Sequence, residues 1–160
     1  MGERDVTTYT MTINGRQETV TADPRLLLVD VIRDVVGLRA THVGCLTGDC
    51  GACTVLVDGS IAKSCLSLGM AAEGRSVVTL EGETSDIMAA LRAAFIARNA
   101  FQCGFCTAGF LMVAADLLRH EPRPNEAAIR HALNGNLCRC TGYEPIVNAI
   151  QDAARQLQRD

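Results

Sequence analysis

The segment that decides the fold is GCLTGDCGACTV, residues 44–55, in which three cysteines are separated by four and then by two residues. A fourth cysteine, Cys65, follows Cys53 with eleven residues between them. Because glycine adopts positive φ without steric cost, a loop that contains several glycines can turn tightly. Backbone N–H groups in such a loop point inward, where they stabilise negative charge. The segment contains three glycines that serve this purpose: Gly44, Gly48 and Gly51.

This spacing is that of a plant-type [2Fe–2S] site, C-x4-C-x2-C followed by a distant fourth cysteine. A diiron cluster held by four thiolates has a net charge of about minus two, which inward-pointing N–H groups balance. The competing metal is zinc, but structural zinc sites usually have paired C-x2-C knuckles or mixtures of Cys and His. The spacing therefore predicts a [2Fe–2S] cluster with these ligands: Cys45, Cys50, Cys53 and Cys65.

The other four cysteines form a second group, Cys103-x2-Cys106 and, after 31 intervening residues, Cys138-x-Cys140. Both pairs fall at the ends of predicted helices, and the partial positive charge of a helix N-terminus favours thiolates. The spacing alone does not separate a [2Fe–2S] cluster from zinc here. A thioredoxin-like dithiol is disfavoured, because no βαβ unit precedes the first pair.

The first half of the chain has the pattern of short strands with one helix. Alternating β-branched residues on either side of Asn14-Gly15 predict a hairpin of two strands, 8–13 and 18–21. Asp23-Pro24 predicts the N-cap and first residue of a helix that stops near Gly37. Three further short strands are predicted at 54–57, 61–65 and 76–80.

The second half of the chain has apolar residues at helical spacing. Four helix starts are predicted, at Thr84-Ser85-Asp86, at Thr107, at Asn125 and at Pro145. The segment Glu81–Thr84 is the natural boundary between the two patterns. The sequence therefore predicts an α+β protein with a β-rich domain over residues 1–82 and a helical domain over residues 83–160, each with four cysteines.

Composition excludes several classes of function. Apolar residues make up 48% and charged residues 21%, which is sufficient for a packed core. A formal charge of −3 disfavours binding of nucleic acid through phosphate neutralisation, and no apolar run approaches the 18 or so residues that span a bilayer. The N-terminal sequence contains no secretory signal. Together with eight thiols, this predicts a cytoplasmic protein in a reducing compartment.

Three motifs contain all eight cysteines in order: GCLTGDCGACTV at 44–55, QCGFCT at 102–107 and CRCTGY at 138–143. With them the chain resembles the small iron–sulfur subunit of the molybdenum hydroxylase family, which includes xanthine oxidase, aldehyde oxidoreductase and aerobic carbon monoxide dehydrogenase. The resemblance covers essentially the whole chain. It departs at Ala108, where relatives commonly have proline; alanine is also a good helix former, so the ligands are not affected.

The resemblance implies a plant-ferredoxin-like β-grasp domain followed by a four-helix bundle that holds a second [2Fe–2S] cluster on Cys103, Cys106, Cys138 and Cys140. It implies a large partner subunit with molybdopterin beside the helical-domain cluster and a medium partner subunit with FAD beside the other, in a heterotrimer or a dimer of heterotrimers. Gln102 and Cys140 match residues that contact the pterin. The implied function is electron transfer within an oxidoreductase complex, with no substrate site and no catalytic residue on this chain.

Two other functions are compatible with parts of the sequence. A free-standing two-cluster ferredoxin-type carrier shares the first motif but leaves the helical domain without a purpose. A zinc-dependent interaction module is the other alternative. Three histidines, His42, His120 and His131, are not required as ligands, because the eight cysteines already complete two sites.

Overall fold

The hairpin that begins the sheet forms because Asn14 and Gly15 adopt positive φ angles of 51° and 78°, as a two-residue hairpin turn requires. It joins β1 (Thr7–Ile13) to β2 (Arg16–Ala22) in antiparallel register. The computed structural model describes residues 6–159, so residues 1–5, on which the predicted absence of a secretory signal largely rests, lie outside the described part.

Three further strands complete one mixed sheet in the order β2-β1-β5-β3-β4. They are β3 (Thr54–Val57), β4 (Ser60–Lys63) and β5 (Ser76–Val78). Only β1 and β5 pair in parallel. The strand predicted at 61–65 ends two residues early, because the chain enters a 3-10 turn over Ser64–Leu66 that turns Cys65 inward.

The first helix begins later than the sequence predicts. Asp23 caps only a local turn, in which its Oδ1 accepts the Arg25 N–H at 2.9 Å. Residues 26–28 are instead tied to the segment after Cys65, and the Leu28 N–H donates to the Ser67 carbonyl at 2.7 Å. Helix α1 covers Leu28–Asp30 and continues as a π-helical turn over Val31–Val35. The prediction of Asp23 as N-cap was therefore wrong.

The second half contains the four predicted helices. They are α2 (Asp86–Ala97), α3 (Thr107–His120), α4 (Glu126–Ala132) and α5 (Glu144–Gln156). Asn125 caps α4 as predicted, and Ser85, within the predicted start Thr84-Ser85-Asp86, caps α2. Thr107 is instead the first helical residue of α3, and Cys106 occupies its N-cap position. Helix α2 packs against both α3 and α5. The predicted α+β class is confirmed.

The two halves meet where α3 packs against β3 and β4. One apolar core lies between β1, β2 and α1, and a second lies among the helices and includes Leu56 from β3. Gly109, in the first turn of α3, lies so close to the Gly51 carbonyl that no side chain fits between them. Within residues 6–159, no helix is both long and apolar enough to cross a membrane.

We expect Gly109→Ala to lower the free energy of unfolding by about 1–3 kcal/mol, because the added methyl group forces α3 away from the loop that contains Gly51. Gly135→Ala is the matched control, since its Cβ meets only the flexible end of Lys63, at 3.4 Å. Differential scanning calorimetry of the cluster-loaded protein compares the two variants. Equal melting temperatures for them would contradict the close contact.

The carboxylate of Glu83, just before α2, is buried and forms an ion pair with Arg119 of α3. Arg119→Met leaves this carboxylate without a countercharge, so we expect the free energy of unfolding to fall by about 3 kcal/mol. Adding Glu83→Gln in the double variant is expected to restore most of this loss, because it removes the unpaired charge. Arg130→Met removes exposed pairs with Glu126 and Glu144 and is expected to change the free energy of unfolding by less than about 1 kcal/mol. Thermal unfolding of Arg119→Met, Glu83→Gln, their double variant and Arg130→Met tests this. If the losses of the two single variants simply add in the double variant, the ion pair is unimportant.

Candidate functional site

The first cysteine group is built on the loop between α1 and β3. Leu46, Gly48 and Gly51 have φ angles of 64°, 87° and 71°, which curl the chain around Cys45. The Cys45 Sγ accepts the backbone N–H groups of Thr47 and Cys50, each at 3.4 Å. The predicted inward-pointing N–H groups are therefore present, and they surround a sulfur that is suited to carry negative charge.

The four thiols of this group lie together as two pairs. The Cys50 thiol lies beside that of Cys45, and the Cys65 thiol beside that of Cys53. Hydrogen bonds from Thr47 and from the Cys50 backbone lower the pKa of Cys45 to about 6, whereas burial and the neighbouring Cys53 raise the pKa of Cys65 to about 11. Cys53 and Cys65 are buried, and Cys45 and Cys50 are partly exposed.

The second group has the same paired arrangement at the start of α3. The Sγ atoms of Cys103 and Cys140 are 3.6 Å apart and exposed, and the Cys106 thiol lies beside that of Cys138. Burial and the neighbouring Cys138 raise the pKa of Cys106 to about 12. Gln102, predicted to contact a pterin, is exposed next to Cys103. The structure thus brings together both predicted sets of four cysteines.

Residues after Cys138 hold its thiol, a predicted ligand, in place. Thr141 donates its backbone N–H at 3.4 Å and its hydroxyl at 3.1 Å to the Cys138 Sγ. Tyr143 has a left-handed backbone with φ of 70°, and its hydroxyl accepts the Cys138 N–H at 3.1 Å. Neither role was predicted, because Thr141 and Tyr143 belong to the third motif but carry no pattern that identifies a hydrogen-bond partner.

The two groups are in direct contact through the backbone. The N–H of Leu137 donates to the carbonyl oxygen of Cys50 at 2.9 Å, and Leu137 immediately precedes Cys138. Asn136 is buried in the same place, and a Cβ on Gly51 would lie 2.5 Å from its Cγ. The loops that carry the two thiol groups are therefore packed against each other with no space for a side chain at Gly51.

A second contact between the loops involves His42, which the sequence did not require as a ligand. The ring of His42 stacks on that of Phe105 with a centroid distance of 4.6 Å, and its Nδ1 lies 2.8 Å from the Phe105 carbonyl oxygen. His42 precedes the first cysteine group, and Phe105 lies inside the second. The histidine is thus engaged in joining the loops, and sequence reasoning did not find this partner.

The paired arrangement of the thiols fits a diiron cluster. A tetrahedral zinc ion places all four sulfurs at about 3.8 Å from one another, because each Zn–S bond is about 2.3 Å. In the described part of the chain, no three His, Cys, Asp or Glu side chains are arranged to hold one metal ion. Two pairs of thiols in each group fit two irons with two thiolates on each. The Thr107 hydroxyl, next to Cys106, is buried and has no hydrogen-bond partner among the residues that the structure describes. It is therefore free to hydrogen-bond a polar group bound at this place.

Comparisons with known proteins agree with this arrangement. The chain matches the families described as "2Fe-2S iron-sulfur cluster binding domain" over residues 11–80 and "[2Fe-2S] binding domain" over residues 79–151. The nicotine 6-hydroxylase small subunit of Paenarthrobacter nicotinovorans is 47% identical over 145 residues, which are 91% of this chain and 88% of that protein.

Two further similarities extend over nearly the full length. The xanthine dehydrogenase iron-sulfur-binding subunit of Escherichia coli O157:H7 is 42% identical over 97% of this chain and 99% of its own length. A chain in the crystal structure of quinoline 2-oxidoreductase from Pseudomonas putida 86 superimposes with a TM-score of 0.88 at 44% identity, covering 96% of this chain and 97% of that one.

Replacing Tyr143 by Phe removes the hydroxyl that accepts the Cys138 N–H. The unpaired N–H is expected to make the folded arrangement of the second cysteine group less stable by about 1–3 kcal/mol. We therefore expect a chelator to remove iron from the second cysteine group faster, while loss from the first group keeps its rate. Tyr9→Phe, in β1, is the matched control. Iron release followed by visible absorption measures both rates, and equal release from Tyr143→Phe and wild type would contradict the assignment.

Proposed function

This chain belongs to the family of small iron–sulfur subunits of the xanthine dehydrogenase and aldehyde oxidoreductase type, and from that premise we propose its place in a complex. Electrons pass between a molybdopterin centre on a large partner subunit and FAD on a medium partner subunit, through two [2Fe–2S] clusters on this chain. The chain contributes no substrate pocket and no catalytic residue. The subunits form a heterotrimer or a dimer of heterotrimers.

We assign one iron to each neighbouring pair of thiols. In the first group, Cys45 with Cys50 and Cys53 with Cys65 hold the two irons of the ferredoxin-like cluster; the pairing is supported by the proximity of these thiols. In the second group the pairs are Cys103 with Cys140 and Cys106 with Cys138. When bound, each cluster supplies a site that accepts and returns one electron.

The observation that carries the proposal is the hydrogen bond from Leu137 N–H to the Cys50 carbonyl oxygen, 2.9 Å long. A proposed ligand of one cluster is thereby connected to Cys138, a proposed ligand of the other, through covalent bonds and a single hydrogen bond. The electronic coupling between two redox sites is stronger through covalent and hydrogen bonds than across a gap that no bonds span. Asn136, buried beside it, excludes water from the same place.

The exposure of the cysteines supports the proposed partner surfaces. Cys103 and Cys140 are exposed, whereas Cys53 and Cys65 are buried. We propose that the second group faces the molybdopterin subunit, with Gln102 and Cys140 in contact with the pterin, and that the ferredoxin-like cluster lies towards the FAD subunit. The relatives' description as small or iron-sulfur-binding subunits supports assembly with larger chains.

The proposed domain boundary lies near residue 82, between a plant-ferredoxin-like β-grasp domain over 1–82 and a four-helix bundle over 83–160. Two separate apolar cores support it, as do two matched families that meet at residues 79–80. We also propose a cytoplasmic location, because eight unpaired thiols that serve as ligands require a reducing compartment.

Metal analysis of the purified native complex tests the proposal. We expect about four irons and four acid-labile sulfides per copy of this chain, and about two of each in Cys53→Ser or Cys106→Ser, because each variant removes one ligand of one cluster. The two variants control for each other, since each leaves the other site intact. Zinc in place of iron, or purification of the chain without larger partners, would contradict the proposal.

A further inference from the structure

Lys63 is the only lysine of the chain; the other 14 of its 15 basic residues are arginines. It is the last residue of β4, directly opposite Thr54 in the strand register and two residues before Cys65. Its side chain is half-buried, at the junction where the sheet meets the helices.

The ammonium group of Lys63 is held by two hydrogen bonds. It donates to the Gly135 carbonyl oxygen at 2.8 Å and to the Thr54 Oγ1 at 3.1 Å. Gly135 lies 72 residues further along the chain, three residues before Cys138. The charge is therefore fixed between the strand that follows Cys53 and the turn that leads into the second cysteine group.

The charges that face Lys63 are the thiols of the first group. Cys45, Cys50, Cys53 and Cys65 all act on its ammonium, and burial outweighs them in lowering its pKa. Within residues 6–159, no carboxylate lies within ion-pair distance of Lys63. Asp116 and His120 line the same groove of about 450 Å³, but the Asp116 carboxylate lies 3.7 Å from the ring of His120.

We propose that the ammonium group of Lys63 raises the reduction potential of the ferredoxin-like cluster. This inference rests on the proposed two-cluster relay. One-electron reduction changes the cluster with its four thiolates from a charge of about minus two to about minus three. A fixed cation nearby therefore stabilises the reduced form more than the oxidised form.

The potential responds to the charge of residue 63 rather than to its shape. Lys63→Met removes the charge and keeps most of the carbon chain; Lys63→Gln removes it but retains an N–H donor for Gly135; Lys63→Arg keeps it. Coulomb attraction between unit charges roughly 12 Å apart near a protein surface, where the effective dielectric constant is about 20, corresponds to about a tenfold change in an equilibrium constant. For a one-electron couple this is about 59 mV.

An EPR-monitored redox titration of the native complex tests the proposal. We expect Lys63→Met and Lys63→Gln to lower the midpoint potential of the ferredoxin-like cluster by about 59 mV. Lys63→Arg and the helical-domain cluster are expected to stay close to the wild-type values. The signal is assigned with Cys65→Ser, which perturbs the ferredoxin-like cluster alone. Arg75→Met is the matched control, because it removes a charge near Asp58, at the other end of β3, and is expected to shift neither potential.

Each outcome has a defined meaning. Unchanged potentials in Lys63→Met and Lys63→Gln, or an equal shift in Lys63→Arg, would overturn the inference. Loss of iron from Lys63→Gln would overturn it too, because Lys63 would then be a structural residue. Two titrating clusters in the wild-type complex confirm that these results concern Lys63 alone; their absence from the wild type would count against the proposed function itself.

Discussion

The hydrogen bond between the Cys50 carbonyl oxygen and the Leu137 N–H is the contact on which the arrangement of the molecule depends. It joins a loop of the sheet half to a turn of the helical half, one residue before Cys138. The approach is possible only because Gly51 and Gly109 have no side chains. A fold that brings two backbones this close fixes the separation of the two thiol groups, and in the proposed relay that separation governs how readily an electron crosses.

Both thiol groups consist of two neighbouring pairs, but their surroundings differ. The first is enclosed by a tight glycine-containing loop, with Cys53 and Cys65 buried, while the second exposes Cys103 and Cys140 at the surface. Backbone N–H groups stabilise Cys45 in one, and Thr141 stabilises Cys138 in the other. These differences give the two proposed clusters different solvent exposure and hydrogen bonding, which are the properties by which a protein adjusts their potentials.

Local signals in the sequence were sufficient for most elements. The Asn14-Gly15 turn, the start of α2 at Thr84-Ser85-Asp86, the Asn125 cap and Pro145 at the start of α5 each depend on near neighbours, and all were predicted correctly. The predicted start of α1 was wrong because the Leu28 N–H bonds to the carbonyl oxygen of Ser67, a partner 39 residues away. The contacts that join the two cysteine groups were missed for the same reason.

The central claim is that two reducible diiron clusters lie close together on this one chain. Low-temperature EPR of the fully reduced complex tests it most directly, because two unpaired spins at short range split or broaden each other's signals. We expect about two spins per chain with such mutual splitting. Two spins without any splitting, or a single spin per chain, would contradict it.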